Sequence, residues 1–144
     1  MEQNCVFCKI IRREISSVDL YEDDLVLAFL DIAPVNKGHA LVIPRQHHVS
    51  LTTVPDQCLA RMMEMAPRIG AALMRAVDAD GFNLMLANGP CAGQVVPHAH
   101  LHIIPRHAGD PFSLLPSRSE DYENEQEKQT IAKTVQDKLN TLTG

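Results

Sequence analysis

Three histidines, His98, His100 and His102, alternate with apolar residues in one short segment. Successive side chains of a strand point to opposite faces, so this spacing predicts that the three imidazoles lie on one side. Pro97 and Pro105 bound the segment, which has the length of a strand. Imidazole can bind a metal ion, or it can attack phosphorus while its neighbours donate hydrogen bonds. The pattern alone leaves both chemistries open.

A loop with two glycines leads into the histidines. Gly89 and Gly93 permit a close approach of the backbone to a ligand and free its N–H groups for an anion. The side-chain amides of Asn88 and Gln94 add further donors. An ordinary hairpin loop would look similar, but the position next to the histidines favours an anion cradle.

Composition limits the classes of function. The chain has 144 residues, of which 45% are hydrophobic and 22% charged, and this is typical of one folded domain. A formal net charge of -5 argues against broad binding to nucleic acid or to an anionic membrane. We find neither an apolar run long enough to span a membrane nor a signal peptide, so we expect a cytoplasmic protein with reduced cysteines.

Hydrophobic spacing predicts the elements that must position these residues. We expect an α+β fold, with a five-stranded antiparallel meander sheet and two to three helices on one face. Pro67 should kink or split the long helix. We assign a domain to residues 1–112 and an extension with a helix to residues 113–144. The predicted strands are 20–22, 25–30, 39–43, 82–87 and 98–105, and the predicted helices lie within 5–14, 55–77 and 119–142.

Several short motifs occur together in one order and spacing. The segment from His98 to Ile104 is similar to the His-φ-His-φ-His-φ-φ signature of the histidine triad (HIT) superfamily, where φ is apolar. The resemblance covers roughly residues 5 to 107, and its first half resembles the Hint-type branch of nucleoside phosphoramidases. Residues 106–110 are also similar to dinucleoside polyphosphate hydrolases. The other matching motifs are Phe29-Leu30-Asp31-Ile32, Gly38-His39, Val42-Ile43-Pro44 and Gly93-Gln94.

The resemblance implies a nucleotide hydrolase that cleaves a purine nucleoside monophosphate from an amine or a second phosphate. His100 would be the nucleophile and would form a covalent nucleotidyl-histidine that water then cleaves. His102, with Asn88, Gly93 and Gln94, would hold the phosphate oxygens. His98 would pack beside the nucleophile, and His39 would orient the histidine cluster.

The resemblance also implies a nucleoside pocket. Asp31 resembles the acidic residue that binds the ribose hydroxyls. An apolar set resembles the base pocket, although Ile10 and Phe29 are equally well explained as ordinary core. This set is Val6, Phe7, Ile10, Phe29, Leu30 and Ile32.

Two cysteines near the amino terminus raise the question of a metal. In some relatives a structural zinc is held by a C-x-x-C pair, a histidine after an Ile-Pro turn and the first triad histidine. The corresponding residues are Cys5, Cys8, His47 and His98, a suitable set for tetrahedral zinc. His48 is the weaker candidate, and two apolar cysteines without a metal are the alternative. The hydrolytic chemistry itself requires no cofactor.

One position departs from the family pattern. Val95 stands two residues after Gly93, where many members have Ser or Thr, and valine cannot donate a hydrogen bond. A nucleotide-binding or regulatory module with weak or no turnover is therefore the alternative function, and a metal-centred enzyme is a third. The family further implies a homodimer with a continuous ten-stranded sheet, to which residues 82–87 and the long helix could contribute.

Overall fold

The computed structural model of the protein describes residues 2–113 and 120–142. The chain divides into two compact units, Met1–Phe112 and Ser113–Gly144. The described residues of the second unit include one helix, α3, over Glu125–Leu142. Its predicted span began at Ser119, which lies outside the described residues.

The first unit contains the predicted antiparallel sheet. Its strand order is β1-β2-β3-β5-β4, and every neighbouring pair is antiparallel. The α+β class with five strands and three helices is therefore confirmed. Strands β1 to β3 follow each other as a meander, and α2 then carries the chain past β5 to the edge position of β4. The bounds are α1 Val6–Ile11, β1 Asp19–Glu22, β2 Val26–Leu30, β3 Ala40–Pro44, α2 Asp56–Ala76, β4 Gly81–Leu86 and β5 Leu101–Arg106.

Two helices cover opposite faces of this sheet. Val26 and Val42 belong to the core that contains α2, whereas Leu27 and Ile43 belong to the core that contains α1. The prediction that the helices share one face is therefore wrong for α1 and α2. Because β2 and β3 are buried on both faces, their sequences are continuously apolar rather than alternating, and this pattern cannot reveal which helix covers which face.

Pro67 does not split α2, which continues without interruption over Asp56–Ala76. A proline removes one N–H and leaves the carbonyl four residues earlier without its helical partner. That residue is Met63, and both it and Pro67 are exposed, so water can satisfy the carbonyl. Met65, Ala66 and Ile69 are buried on the opposite side and hold the helix against the sheet.

The last strand begins later than predicted. β5 starts at Leu101, so His98 and His100 precede it and only His102 lies within the strand. The chain departs from the ladder because the N–H of His98 donates to the Val96 carbonyl at 2.8 Å and that of Ala99 donates to the His48 carbonyl at 2.6 Å. Among the described residues, no helix is long and apolar enough to cross a membrane.

Candidate active site

A cavity of about 770 Å³ lies on the α1 face of the sheet. It brings together ten of the predicted residues, from four separate parts of the chain. Apolar side chains dominate its wall, and Ile32 at its rim is 97% exposed. A space of this size and character suits a small organic ligand with a polar end. The ten residues are Val6, Phe7, Ile10, Phe29, Leu30, Asp31, Ile32, Gly93, His100 and His102.

His100 presents an unprotonated nitrogen. Its Nδ1 lies 2.7 Å from the carbonyl oxygen of His98, and a carbonyl only accepts, so Nδ1 carries the proton. In the neutral ring Nε2 then holds a free lone pair. The His100 ring packs edge-on against Phe7, with ring centroids 5.2 Å apart, and against His102 at 4.9 Å. This imidazole is therefore oriented as a nucleophile.

His102 has the opposite tautomer. The N–H of Val35 donates to Nδ1 of His39 at 3.1 Å, so the proton of His39 is on Nε2. That Nε2 lies 2.8 Å from Nδ1 of His102 and donates to it. Because Nδ1 of His102 accepts, the single N–H proton of this neutral ring is on Nε2, where it can be donated to a ligand. The distance between the two nitrogens is that of a hydrogen bond, and it is shorter than the about 3.4 Å between two nitrogen ligands of tetrahedral zinc.

Burial keeps the rings of His39 and His102 neutral. The pKa of His102 is lowered to about 4, mainly by burial, and the neighbouring His100 and His39 contribute to the same shift. The pKa of His39 is also lowered by burial, although Asp31, with Oδ2 3.6 Å from its Nε2, opposes the shift. At neutral pH His102 can therefore donate a hydrogen bond without carrying a charge.

A second cluster gathers four donor atoms behind the cavity. Nδ1 of His98 lies 3.5 Å from Sγ of Cys5 and 3.7 Å from Sγ of Cys8, and Nδ1 of His47 lies 3.4 Å from Sγ of Cys8. All four donors are within 4.8 Å of one another. Sulfur and nitrogen ligands of tetrahedral zinc stand about 3.6 Å apart, given Zn–S and Zn–N bonds of about 2.3 and 2.05 Å. The four residues fit such an ion.

His98 connects the two clusters. Its Nε2 donates to the Pro44 carbonyl at 2.8 Å, which fixes the ring and leaves Nδ1 unprotonated toward the cysteines. A ligating histidine is typically held by such an outer hydrogen bond. Burial raises the pKa of the Cys8 thiol, and a bound cation would favour the thiolate instead. The carbonyl of the same His98 orients His100, so a single residue serves both clusters.

The loop before the histidines is arranged differently from the prediction. Gly93 lines the cavity and has φ +97°, a left-handed conformation that favours glycine. The carbonyl oxygen of the Asn88 side chain accepts the N–H of Leu51 at 2.8 Å. Neither Asn88 nor Gln94 lines the cavity.

Both polar groups of the Gln94 side chain bind backbone. Its Oε1 accepts the N–H of Gly89 at 2.8 Å, and its Nε2 donates to the carbonyls of Val49 at 2.6 Å and Val96 at 3.1 Å. The amide thus joins three backbone segments and has no donor left for a phosphate oxygen.

Comparisons with known proteins show the family. The HIT domain model matches residues 12–109. The chain belongs to the HIT family. Adenylylsulfatase HINT3 of Arabidopsis thaliana is 46% identical over 110 residues, which are 76% of this chain and 56% of that protein. Adenosine 5'-monophosphoramidase hnt1 of Schizosaccharomyces pombe is 41% identical over 103 residues, 72% of this chain and 74% of that one.

A solved HIT structure resembles the whole fold. The zinc-bound histidine triad family protein from Mycobacterium smegmatis superposes with a TM-score of 0.73 at 36% identity, covering 96% of this chain and 97% of that one. The present chain thus spans little more than half of the Arabidopsis relative and nearly all of the mycobacterial protein.

The HIT site also contains residues that the sequence did not indicate. Ile15, Ser16, Ser17 and Met85 line the cavity. Serines between a helix and a strand look like ordinary connection residues, and Met85 in an apolar strand looks like core. Only the pairing register of the strands places them around one space, and no local sequence pattern could have identified them.

A charged network outside the cavity supports the His39 turn. Nδ2 of Asn36 donates to the Pro105 carbonyl at 2.8 Å and to Oδ2 of Asp110 at 3.2 Å. Arg106 donates from Nε to the same carboxylate at 3.0 Å. The carbonyl of Asn36 accepts the N–H of His39 at 3.0 Å. This network holds the turn whose Val35 N–H sets the tautomer of His39.

Proposed function

We propose that this HIT protein is a nucleotide hydrolase that cleaves a purine nucleoside monophosphate from an amine or a second phosphate. The observation that carries the proposal is the pair of opposite tautomers, an unprotonated Nε2 on His100 beside a protonated Nε2 on His102. A relative named adenosine 5'-monophosphoramidase supports an amine as leaving group, and one named adenylylsulfatase supports cleavage beside an adenylate.

The first step is attack of His100 Nε2 on the α-phosphorus. A nitrogen–phosphorus bond forms, and the bond to the leaving group breaks with its electron pair, an amine taking up a proton from water. The ring becomes an imidazolium, whose Nδ1–H faces the His98 carbonyl 2.7 Å away. The Nε2–H of His102 stabilises the charge on a phosphate oxygen, as a preorganised donor in a partly dry site.

The second step is attack of water on the nucleotidyl-histidine. The water loses a proton to solvent, and His100 leaves with the electron pair of the nitrogen–phosphorus bond. Asp31 would hold the ribose meanwhile, because its Oδ1 accepts the N–H of Ala33 at 2.9 Å and its carboxylate can accept hydroxyl protons. Phe7, Leu30 and Ile32 would contact the base.

We further propose a structural zinc ion held by Cys5, Cys8, His47 and His98. The zinc-bound mycobacterial relative supports this assignment. When bound, such an ion would join α1 to the segments that carry His47 and His98 and so fix the backbone that orients His100. It needs no part in the two chemical steps.

A homodimer built on the sheet edge is also proposed. β4 is the last strand of the order, and its residues Gly81–Leu86 are all half-buried. An edge strand of this kind is a ready template for a second copy, whose own β4 would extend the sheet to ten strands. Sedimentation of the wild-type chain should give twice the monomer mass. A monomer at all concentrations would contradict the dimer.

The covalent step is tested with His100→Ala. Turnover of adenosine 5'-phosphoramidate should fall by at least about 10³-fold, because His102, the other imidazole among the described residues that line the cavity, has a protonated Nε2. Mass spectrometry of quenched wild-type reactions should detect an adenylyl adduct that is absent from the variant. His107→Ala, an exchange at a histidine outside the cavity lining, is the matched control and should keep activity. Retention of more than a tenth of the activity in His100→Ala would remove His100 from this role.

One observation favours the alternative of a binding module. Val95 at the mouth of the cavity is 89% exposed and offers no proton to a leaving group. Tight binding of AMP by the wild-type chain, without turnover of phosphoramidate, adenylyl sulfate or diadenosine polyphosphate, would support that second function.

A further inference from the structure

One row of paired residues crosses the floor of the cavity. Asp19 pairs with Phe29, Phe29 with Leu41, Leu41 with His102, and His102 with Met85. Three strand spacings separate Asp19 from His102, which is about 14 Å. The phosphate-binding histidine thus stands at one end of the cavity, and the chain around Asp19 stands at the other.

The ribose position lies between these two ends. Asp31 directly follows β2, and the N–H of the last β2 residue, Leu30, donates to the Val18 carbonyl at 2.9 Å. Ser17, which precedes Val18, lines the same cavity. A nucleotide with its phosphate at His102 and its ribose at Asp31 therefore directs the base toward Ser17.

The hydroxyl of Ser17 has a fixed direction of hydrogen bonding. Its Oγ donates to Oδ1 of Asp19 at 2.5 Å, and Arg13 donates to the other oxygen of that carboxylate. Burial would raise the pKa of Asp19, but the hydrogen bonds from Ser17 and Arg13 outweigh it and lower the pKa. Asp19 is therefore ionised and can only accept, so the single proton of Ser17 is committed to it.

We infer that Ser17 selects the base by offering a lone pair to an exocyclic amino group, so that the site prefers adenine over 6-oxopurines. Adenine carries an amino donor at position 6, whereas hypoxanthine and guanine carry a carbonyl acceptor there. Two acceptors facing each other cannot bond, and an unpaired polar group in a partly buried site costs binding energy. This inference rests on the proposed function and adds its base preference.

Titration calorimetry with AMP and IMP tests the preference without requiring turnover. These nucleotides differ only at position 6 and the adjacent ring proton. AMP should bind the wild-type chain about three- to ten-fold more tightly, the range expected for one neutral hydrogen bond. Ser17→Ala should bind both equally, and Ser17→Thr, which keeps the hydroxyl, should retain the preference for AMP.

Asp19→Asn gives the most discriminating test of the base preference. Because Arg13 donates to one oxygen of Asp19, the new carbonyl oxygen should turn to Arg13 and the new amide NH₂ to Ser17. The Ser17 proton would then be free for the base, and the preference should shift toward IMP. Arg13→Gln removes the same ion pair but keeps the Ser17–Asp19 bond, so it should leave the preference unchanged.

The outcomes separate this inference from the proposed function. Equal binding of AMP and IMP by the wild-type chain would overturn the inference and leave the hydrolase proposal intact. A preference that survives in both Ser17→Ala and Asp19→Asn would remove Ser17 from the role. Absence of any nucleotide binding or turnover would overturn the proposed function and the inference together.

Discussion

Two histidine clusters lie a few ångströms apart and differ in what their nitrogen atoms face. In the cavity cluster, His39 and His102 form a nitrogen-to-nitrogen hydrogen bond of 2.8 Å, and His100 leaves a nitrogen open to the ligand. In the cysteine–histidine cluster of Cys5, Cys8, His47 and His98, the two histidines direct nitrogens at cysteine sulfurs 3.4 to 3.7 Å away. The difference follows from backbone carbonyls: His98 is fixed by Pro44, and His100 is fixed by His98.

The comparison teaches that position in a motif does not determine the use of a histidine. His98 and His100 are two residues apart, and each donates to a carbonyl. The donating atom is Nε2 in His98 and Nδ1 in His100, so opposite nitrogens remain free. One free nitrogen faces two sulfurs, and the other faces the cavity. Removing the cysteine–histidine cluster should therefore mainly lower stability, and removing the cavity cluster should mainly lower catalytic activity.

The largest effect is expected from Cys8→Ser. Loss of one ligand should abolish zinc binding and lower the free energy of unfolding by more than about 4 kcal/mol, because metal binding to a folded site is folding free energy. Cys58→Ser is the matched control, since Cys58 is a buried thiol outside both clusters. Urea unfolding and zinc analysis measure both variants. Equal destabilisation of the two variants, with no zinc in the wild type, would contradict the separate structural role of the cysteine–histidine cluster.

A smaller loss of stability is expected when the pH falls and His102 takes up a proton. Its pKa is lowered from 6.5 to about 4 in the folded state, so below pH 6.5 the unfolded chain binds a proton that the folded chain does not. The stabilising contribution of neutral His102 is complete above pH 6.5 and is lost as the pH falls toward 4. At ~1.4 kcal/mol per pKa unit the loss is about 3 kcal/mol.

Comparison of the wild type with a variant isolates the contribution of His102 to the pH dependence of stability. Urea unfolding should show that the wild type loses about 3 kcal/mol more of its free energy of unfolding than His102→Gln as the pH falls from 6.5 to 4. Both chains retain Cys5, Cys8, His47 and His98, so the pH dependence of the cysteine–histidine cluster cancels. Parallel curves for the two chains would mean that His102 is not a buried neutral ring.

Much of this arrangement could be predicted from the sequence. The alternation of histidines, the C-x-x-C pair and the family resemblance identified His100, His102 and the four metal-binding candidates. The continuous apolar runs of β2 and β3 indicated the sheet, and the helical periodicity of α2 indicated the long helix. These features depend on residue type and local spacing, which a sequence states directly.

The remainder depends on tertiary geometry. The late start of β5 results from hydrogen bonds of His98 and Ala99 to Val96 and His48, and the last of these partners is 51 residues from Ala99. The continuity of α2 through Pro67 depends on which side of the helix faces solvent. The place of Ser17 in the cavity depends on a pairing register across four strands. Local propensity contains none of this information.

The smallest effect is expected from Gln94→Ala, which lies between the two clusters. The resemblance assigned Gln94 to the phosphate, but its amide joins Gly89, Val49 and Val96 and leaves no donor for a ligand. Truncation should therefore lower the free energy of unfolding by about 1 to 3 kcal/mol, the cost of partly buried backbone groups left unpaired. Turnover should fall only a few-fold, because the backbone of Gly93 is displaced indirectly.

Kinetics with denaturant unfolding separates the two roles of Gln94. A phosphate-binding role predicts a loss of kcat of at least about 10²-fold with unchanged stability, as for removal of a preorganised donor. A bracing role predicts the reverse, and Gln94→Glu should then resemble Gln94→Ala, because a carboxylate keeps the bond from Gly89 and cannot donate to Val49 or Val96. Since Val49 follows His47 and Val96 precedes His98, the bracing role also predicts weaker zinc retention in both variants. A large catalytic loss with full zinc content would return Gln94 to the phosphate.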